Sequence, residues 1–280
     1  MNKKLQPKND PPDVASHDQL RSRHLQRLLR KPNSVTNFGF DGVIPHTLIQ
    51  YWDQAEAPTD VQRCLESWRS LDDLGFERLL FDRDSARSFI KDRLGDLQVQ
   101  AFDTCNHPAM RSDYFRLCYL SCNGGVYVDA DDELVEVEAV PLLVEAGILQ
   151  LQPLCYQRSS DSMVVPVDYA DANDDDLLFY VANDPILAPA NNPVIEAALH
   201  QATARLIEAN GSSRDIQWLT GPGNLSEALV RHSISRETSE LDQDFRFVTS
   251  WVQIAPGDWT LEYRNDARNW RLWTSGGSSQ

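Results

Sequence analysis

Few folds accommodate the order of residues between Met110 and Asp132. Met110, Tyr114, Leu117, Cys118 and Leu120 fall at near-helical spacing, and Asn123-Gly124-Gly125 is a helix-stop signal. Val126-Tyr-Val then reads as a short buried strand that runs directly into Asp129-Ala-Asp131-Asp132. Aspartate is disfavoured in β structure, so three of them ending an apolar strand need a reason. Strand alternation sends Asp129 and Asp131 to the same side. Two carboxylates there, with no Lys or Arg beside them in sequence, repel each other unless a cation joins them. A hard divalent ion whose shell is completed by phosphate oxygens meets that need. In open α/β sheets, ligands also bind at the carboxyl ends of strands. Within the preceding helix, Asp113 and Arg116 are three residues apart and share one face. The bland alternatives are an exposed intrahelical ion pair and a solvated acidic turn.

The rest of the chain supplies a setting for that block. Strand-like segments at 43–52, 76–81 and 126–129 alternate with helical spacing at 60–73, 85–94 and 110–123. This pattern predicts an α/β fold with a central, mostly parallel sheet flanked by helices. The second half is less regular, with a strand expected at 164–167 and helices at 193–208 and 225–232. Residues 1–38 read as a basic arm, residues 39–274 as the folded domain, and 275–280 as a flexible tail. The arm holds eight Lys/Arg against three Asp in a chain whose net charge is −16. Such acidity excludes a whole-molecule footprint for nucleic acid. Residues 16–31 form a short basic helix carrying Leu20, Leu25, Leu28 and Leu29. It is suited to peripheral contact with an anionic membrane surface, to packing on the domain, or to a tail. With no apolar leader at Met1, no membrane-length apolar run and five unpaired-looking cysteines, the expected compartment is a reducing cytoplasm, at most against the inner face of a membrane. Cys118 and Cys122 are one helical turn apart but lack a second pair to complete a zinc site. Asp171–Asp176 departs from a calcium loop at its sixth position and reads as solvated.

Several stretches together resemble the D-x-D sugar-binding glycosyltransferases, a family that includes initiating mannosyltransferases and capsular sugar transferases. The resemblance is carried by Ile44-Pro-His-Thr-Leu-Ile-Gln-Tyr-Trp52, Ser67-Trp68, Phe76–Asp82, and most specifically His107–Asp132. It continues more weakly through Thr220-Gly-Pro-Gly-Asn-Leu and Tyr263–Trp270. It implies a GT-A (Rossmann-like) nucleotide-sugar-binding fold and transfer of a hexose from a UDP- or GDP-sugar to a glycan acceptor, with retention at the anomeric carbon. By the same resemblance, Trp52 stacks on the nucleotide base and Asp113 and Arg116 hydrogen-bond the donor sugar. Gly124 and Gly125 let the backbone turn tightly beside the ligand. Asp129 faces the donor sugar, stabilises positive charge there and assists the metal, and Asp131 ligates Mn²⁺ or Mg²⁺. Asn269 stands where the family usually has His, as a weaker metal ligand, and Trp270 closes over the diphosphate. His46 stands where many relatives carry Lys, and no role is attached to it.

The expected product is a cell-surface polysaccharide or glycolipid, and no catalytic base is assigned. Two rivals stand beside this reading. One is a non-catalytic nucleotide-sugar or sugar-binding protein on the same fold, weakened at Asn269. The other is a metal-dependent phosphohydrolase, which leaves Trp52 and the Asp113/Arg116 pair without a task.

Overall fold

The structure is a computed structural model that describes residues 12–30, 42–257, 260–266, 268, 269 and 271. In chain order its elements are α1 (Pro12–Leu29), β1 (Thr47–Tyr51), α2 (Thr59–Ser67), β2 (Glu77–Phe81), α3 (Arg83–Arg93), α4 (Asp96–Thr104), α5 (Pro108–Asn123), β3 (Gly125–Tyr127), α6 (Ala139–Val144), β4 (Leu149–Gln157), β5 (Ser162–Val164), β6 (Leu177–Ala188), α7 (Pro193–Ala209), α8 (Ile216–Leu219), α9 (Pro222–Thr238), β7 (Phe245–Phe247) and α10 (Trp251–Ile254). The chain divides into two compact units. The larger comprises 33–153 and 181–280, the smaller 1–32 and 154–180.

The larger unit is built on strands ordered β2-β1-β3-β6-β4, with β7 beside β4. The pairs β2–β1, β1–β3 and β4–β7 are parallel, whereas β3 and β6 run antiparallel with Val126 opposite Leu187. A central sheet flanked by helices is as the sequence predicts. Its parallel character is confined to the two outer parts. The expectation of a mostly parallel sheet rested on helix–strand alternation in the first half. That alternation says nothing about β6, which is reached without a crossover helix.

Local chemistry sets the element that matters most. The His107 side chain caps α5, accepting a hydrogen bond at Nδ1 from the amide of Ala109 at 3.1 Å, and Pro108 opens the first turn. The helix ends at Gly124, whose φ of 70° is left-handed. Between these stops α5 is buried on almost every side, and Tyr114 bonds Thr203 of α7 at 2.7 Å. On the other side of the sheet, Leu48, Val126, Val128 and Leu187 pack with Trp68, Leu71 and Trp251. The Trp68 and Trp251 rings stack at 6.2 Å, and both indoles bond Asp132, at its carbonyl and its carboxylate respectively. β3 is thus held between a buried helix and a tryptophan-rich core, and its last residue points the chain out at a fixed place.

In the smaller unit, α1 packs with the segment 154–180. Ser22 bonds both the carbonyl of Leu177 and the amide of Phe179, and Gln26 donates to the carbonyls of Tyr169 and Ala172. Leu25 and Leu28 are buried, and Leu20 is exposed. Much of the apolar face suited to a membrane is therefore already buried. The acidic loop is engaged rather than merely solvated, with Asp175 bonded to Arg23 at 2.7 Å, Asp171 3.3 Å from Arg30, and Asp176 held by Ser159. The strand expected at 164–167 is β5, ending at Val164, after which Pro166–Tyr169 turns as a 3-10 helix. No helix among the described residues is long and apolar enough to cross a membrane. All five cysteines are free thiols, and burial pushes the Cys118 thiol well above its ordinary range, so it is a poor metal ligand.

Candidate functional site

The carboxyl ends of β1 and β3 lie side by side, since the amide of Val128 donates to the carbonyl of Ile49 at 3.1 Å. Residues leaving those two strands therefore meet. From β1 come Trp52 and Asp53, and from β3 come Asp129, Asp131 and Asp132. Asp53 forms a fork with Arg111 of α5 at 2.5 and 2.9 Å and also accepts from the Tyr51 hydroxyl at 2.7 Å. Burial raises the Asp53 carboxyl, but the hydrogen bonds from Arg111 and Tyr51 outweigh it and leave its pKa lowered.

Arg116 is the hub of the strand exit. It is only 2% exposed. Its Nη2 donates to Asp129 Oδ1 at 2.9 Å and to Ser112 Oγ at 2.9 Å, and lies 3.1 Å from Asp113 Oδ1. Nη1 donates to the carbonyl of Asn183 on β6, and the guanidinium lies 4.2 Å above the Tyr127 ring. Asp113 is filled from the other side. Asn183 Nδ2 donates to its Oδ1 at 2.6 Å and Thr220 to its Oδ2 at 3.3 Å. Burial pushes the Asp113 carboxyl up to about 6, with Arg116 opposing and repulsion from Asp129 adding to it. Asp113 and Arg116 do sit at the predicted place and on one helix face. Both are buried behind Asp129, which keeps a side chain 36% exposed.

Asp131 is held from the far end of the chain. Its Oδ2 accepts from the Tyr263 hydroxyl at 2.5 Å and from the Arg264 guanidinium. Burial and the neighbouring Asp129 raise its pKa despite Arg264. Asp132 and Asp184 are hydrogen-bonded to each other, and both are raised well above the usual carboxylate range, first by withdrawal from water and then by repulsion, from Asp131 and Asp129 on Asp132 and from Asp132 and Asp129 on Asp184. Asp184 Oδ1 also accepts from the backbone amide of Asp129 at 2.8 Å.

The remaining predicted residues separate. Trp52 follows β1, its amide donating to the carbonyl of Phe81 at 2.9 Å, and its ring meets Tyr263 edge-on at 5.3 Å. Its buried indole nitrogen has no hydrogen-bond partner among the described residues. Gly124 and Gly125 lie at the other end of β3 from the aspartates. A Cβ on Gly124 would stand 2.6 Å from the nitrogen of Ala190, and one on Gly125 2.8 Å from the carbonyl of Thr47. What approaches these glycines in the structure is the protein's own backbone. Asn269 lies in the last described segment. Its amide nitrogen donates to the carbonyl of Arg264 at 2.6 Å and its oxygen accepts from the amide of Arg271 at 3.1 Å, so both ends of the group are used within its own loop. Trp270 lies outside the described residues.

The donor set suits a hard cation. Five carboxylates (Asp113, Asp129, Asp131, Asp132 and Asp184) face two guanidiniums, and the surplus of negative charge in a buried place adds to the upward shifts. Among the described residues no three His, Cys, Asp or Glu side chains form a ready cage. A cation here would be held by one or two carboxylates, with its other ligands from outside the chain, as is usual for Mg²⁺-like ions. Sequence reasoning missed Asn183, Asp184, Tyr263 and Arg264. The available signal was an Asn-Asp pair interrupting the apolar run of β6 and the Tyr-Arg pair in the last segment.

Residues 58–138 match the family model of the glycosyltransferase sugar-binding region containing the DXD motif. Asp113, Arg116, Asp129 and Asp131 all fall inside it, while Trp52 and Asn269 fall outside. The chain is similar to an uncharacterized glycosyltransferase of Acanthamoeba polyphaga mimivirus, with 26% identity over 91 residues, 32% of this chain. The matched stretch spans 36% of that relative's length. Among solved structures, the PaToxG glycosyltransferase aligns over 92% of this chain and 94% of its own, at 14% identity and a TM-score of 0.47. The UDP-bound glycosyltransferase domain of the YGT toxin aligns over 77% of this chain and 80% of its own, at 10% identity and a TM-score of 0.43.

Proposed function

We propose that the protein is a retaining glycosyltransferase that uses a nucleoside-diphosphate hexose, UDP- or GDP-linked, and a divalent cation to extend a glycan acceptor. The observation that carries this reading is the exit of β3, where Asp129 stays partly exposed above a buried Arg116 and Asp131 stands two residues on. That exit lies inside the segment matched to the D-x-D sugar-binding region.

Each residue has a task that follows from its chemistry. Asp129 faces the donor sugar, where its charge stabilises positive character developing at the anomeric carbon. Arg116, expected with Asp113 to bond the sugar itself, acts through Asp129 by fixing its Oδ1, and Asp113 helps to hold Arg116 in place. Trp52 offers its ring at the end of β1 to the nucleobase. Asp131 and Asp129 would hold Mn²⁺ or Mg²⁺, which supplies Lewis-acid neutralisation of the diphosphate when bound. No side chain is assigned as a base, because the departing phosphate can accept the acceptor's proton in a front-face attack.

The test is sugar transfer, or donor hydrolysis, over a panel of nucleotide sugars with Mn²⁺ supplied. Asp131→Ala and Asp129→Ala are each expected to lose about 100-fold or more in kcat/KM, in the range seen when one electrostatic stabiliser is removed. Chelation by EDTA should abolish turnover and added Mn²⁺ should restore it. Undiminished turnover in Asp131→Ala would remove the cation assignment. A second reading, a nucleotide-sugar binder without turnover, draws on the engagement of the Asn269 amide within its own loop. Tight donor binding with no transfer or hydrolysis would establish that reading instead.

A further inference from the structure

Asp131 receives both of its side-chain partners on one oxygen. The Tyr263 hydroxyl and the Arg264 guanidinium converge on Oδ2, and the Arg264 and Asp131 side chains are only 13% and 12% exposed. Both donors belong to one short 3-10 turn, Glu262–Asn265. Among the described residues, Leu261 and Tyr263 pack with Val61, Cys64 and Ala130, and polar and ring contacts add to the hold on that turn. The amide of Glu262 donates to Asp60 Oδ2 at 2.8 Å, Asn269 donates to the carbonyl of Arg264 at 2.6 Å, and the Tyr263 ring lies against Trp52. Nothing in these contacts is needed to fold β3, whose own partners are β1, β6 and α5.

The Arg264 guanidinium and a divalent cation on Asp131 are both positive, and in a partly dry place their repulsion is weakly screened whichever carboxylate oxygen the cation takes. A cation on Asp131 therefore weakens the Arg264 pair and pushes the guanidinium away. The displaced guanidinium then sits in a partly dry place and needs another anion. We infer that Arg264 exchanges partners, holding Asp131 while no cation is present and moving to the diphosphate of the donor when cation and donor bind together. The inference rests on the nucleoside-diphosphate reading of the site. A diphosphate is the suitable acceptor because its paired oxygens match the planar fork of arginine. Arg264 is thereby a donor-binding residue for which Asp131 stands in. A bare cation has to work against the Arg264–Asp131 pair, whereas a cation arriving with a diphosphate brings an anion to which Arg264 can move. Cation and nucleotide should therefore bind with positive coupling.

The experiment measures Mn²⁺ binding to the full chain by loss of the free-ion EPR signal, with and without UDP or GDP. It compares the wild type with Arg264→Met and Tyr263→Phe. Arg264→Met is expected to bind Mn²⁺ alone about tenfold tighter, a typical size for coupling between sites. It is also expected to lose most of the gain in Mn²⁺ affinity that a nucleoside diphosphate gives the wild type. Tyr263→Phe, which removes one competitor and leaves the fork, should tighten Mn²⁺ alone by a few-fold and keep the nucleotide gain. Melting curves without ligand check that each variant folds, and Tyr263→Phe carries the test if Arg264→Met does not. Unchanged Mn²⁺ affinity in the folded variants, or an undiminished nucleotide gain in Arg264→Met, overturns the exchange. If nucleoside diphosphates bind to no form, with or without Mn²⁺, the donor reading itself fails and the exchange with it. If they bind wild type and Arg264→Met alike, only the exchange fails.

Discussion

Asp129 and Asp131 stand two residues apart at one strand exit, and each is held by an arginine, but the two arginines belong to different kinds of structure. Arg116 projects from the middle of a sixteen-residue helix buried on nearly all sides, and it touches Ser112, Asp113, Tyr127, Asp129 and Asn183. Arg264 sits on a four-residue 3-10 turn near the end of the described chain, held by hydrogen bonds, by the contact of Tyr263 with Trp52, and by Leu261 packed with Val61, Cys64 and Ala130 at its start. The first arginine is part of the core that makes β3 possible. The second is laid over a strand exit that already exists. One half of the site is therefore coupled to stability, and the other half is free to be coupled to ligand.

Substitutions in the two halves should separate accordingly. The largest effect is expected for Arg116→Ala, which takes from Asp113 and Asp129 the one cation both are paired with in the structure's salt bridges and leaves them only neutral hydrogen-bond donors. A loss of about 3–5 kcal/mol in denaturant unfolding is the usual cost of halving a buried ion pair. A loss below about 1 kcal/mol would mean that Arg116 is no more built in than Arg264. Gly124→Ala comes next, at roughly 3 kcal/mol, combining a left-handed φ with a Cβ thrust against the backbone of Ala188–Ala190. Its effect should fall on unfolding and leave the nucleotide affinity of the folded protein unchanged.

The pH dependence is somewhat smaller. The folded-state pKa of Asp113, about 6, lies above its ordinary value of 3.8, so the folded protein binds this proton more tightly than the unfolded chain. The corresponding stabilisation is complete below pH 3.8 and is lost as pH rises through about 6. It amounts to at most about 3 kcal/mol at 1.36 kcal/mol per pH unit. In Asp113→Asn this part of the slope should disappear from a series of urea melts between pH 4 and 7. The smallest effect belongs to the laid-on half. Trp52→Phe keeps an aromatic face and should weaken UDP or GDP binding by about 1 kcal/mol in calorimetry, with little change in melting temperature.

The two halves were also unequally legible in the sequence. The helix, the double glycine, β3 and the aspartates at its end are adjacent in the chain. Period, stop signal and strand composition are enough to assemble them, and the family match falls on the same stretch. Asp184 is different. It reaches Asp129 only because β6 returns antiparallel to β3 with Ile186 opposite Tyr127, a register set by packing across the sheet. β6 itself was unread, since its apolar run is broken by Asn183, Asp184 and Pro185. β4 was hidden for a related reason. Gln150 lies fully inside, its side-chain amide donating to the carbonyl of Leu143 and accepting from Arg246 at 2.7 Å, so the polar residue that spoils the alternation is a satisfied core residue. Tyr263 and Arg264 lie in a stretch that resembled the family only weakly. Their role depends on a contact across more than a hundred residues, which no local pattern encodes.

The buried indole N–H of Trp52 has a consequence for how a nucleotide would be gripped under the proposed function. Among the described residues it meets no acceptor, which costs a buried donor roughly 1–3 kcal/mol. That nitrogen faces protein, beside the edge-on ring of Tyr263, so a base stacked on the exposed part of the ring would not touch it directly. A nucleotide whose arrival turned the indole towards an acceptor or a water would recover that cost, and preference among bases would then follow from the turn of the ring as well as from its face.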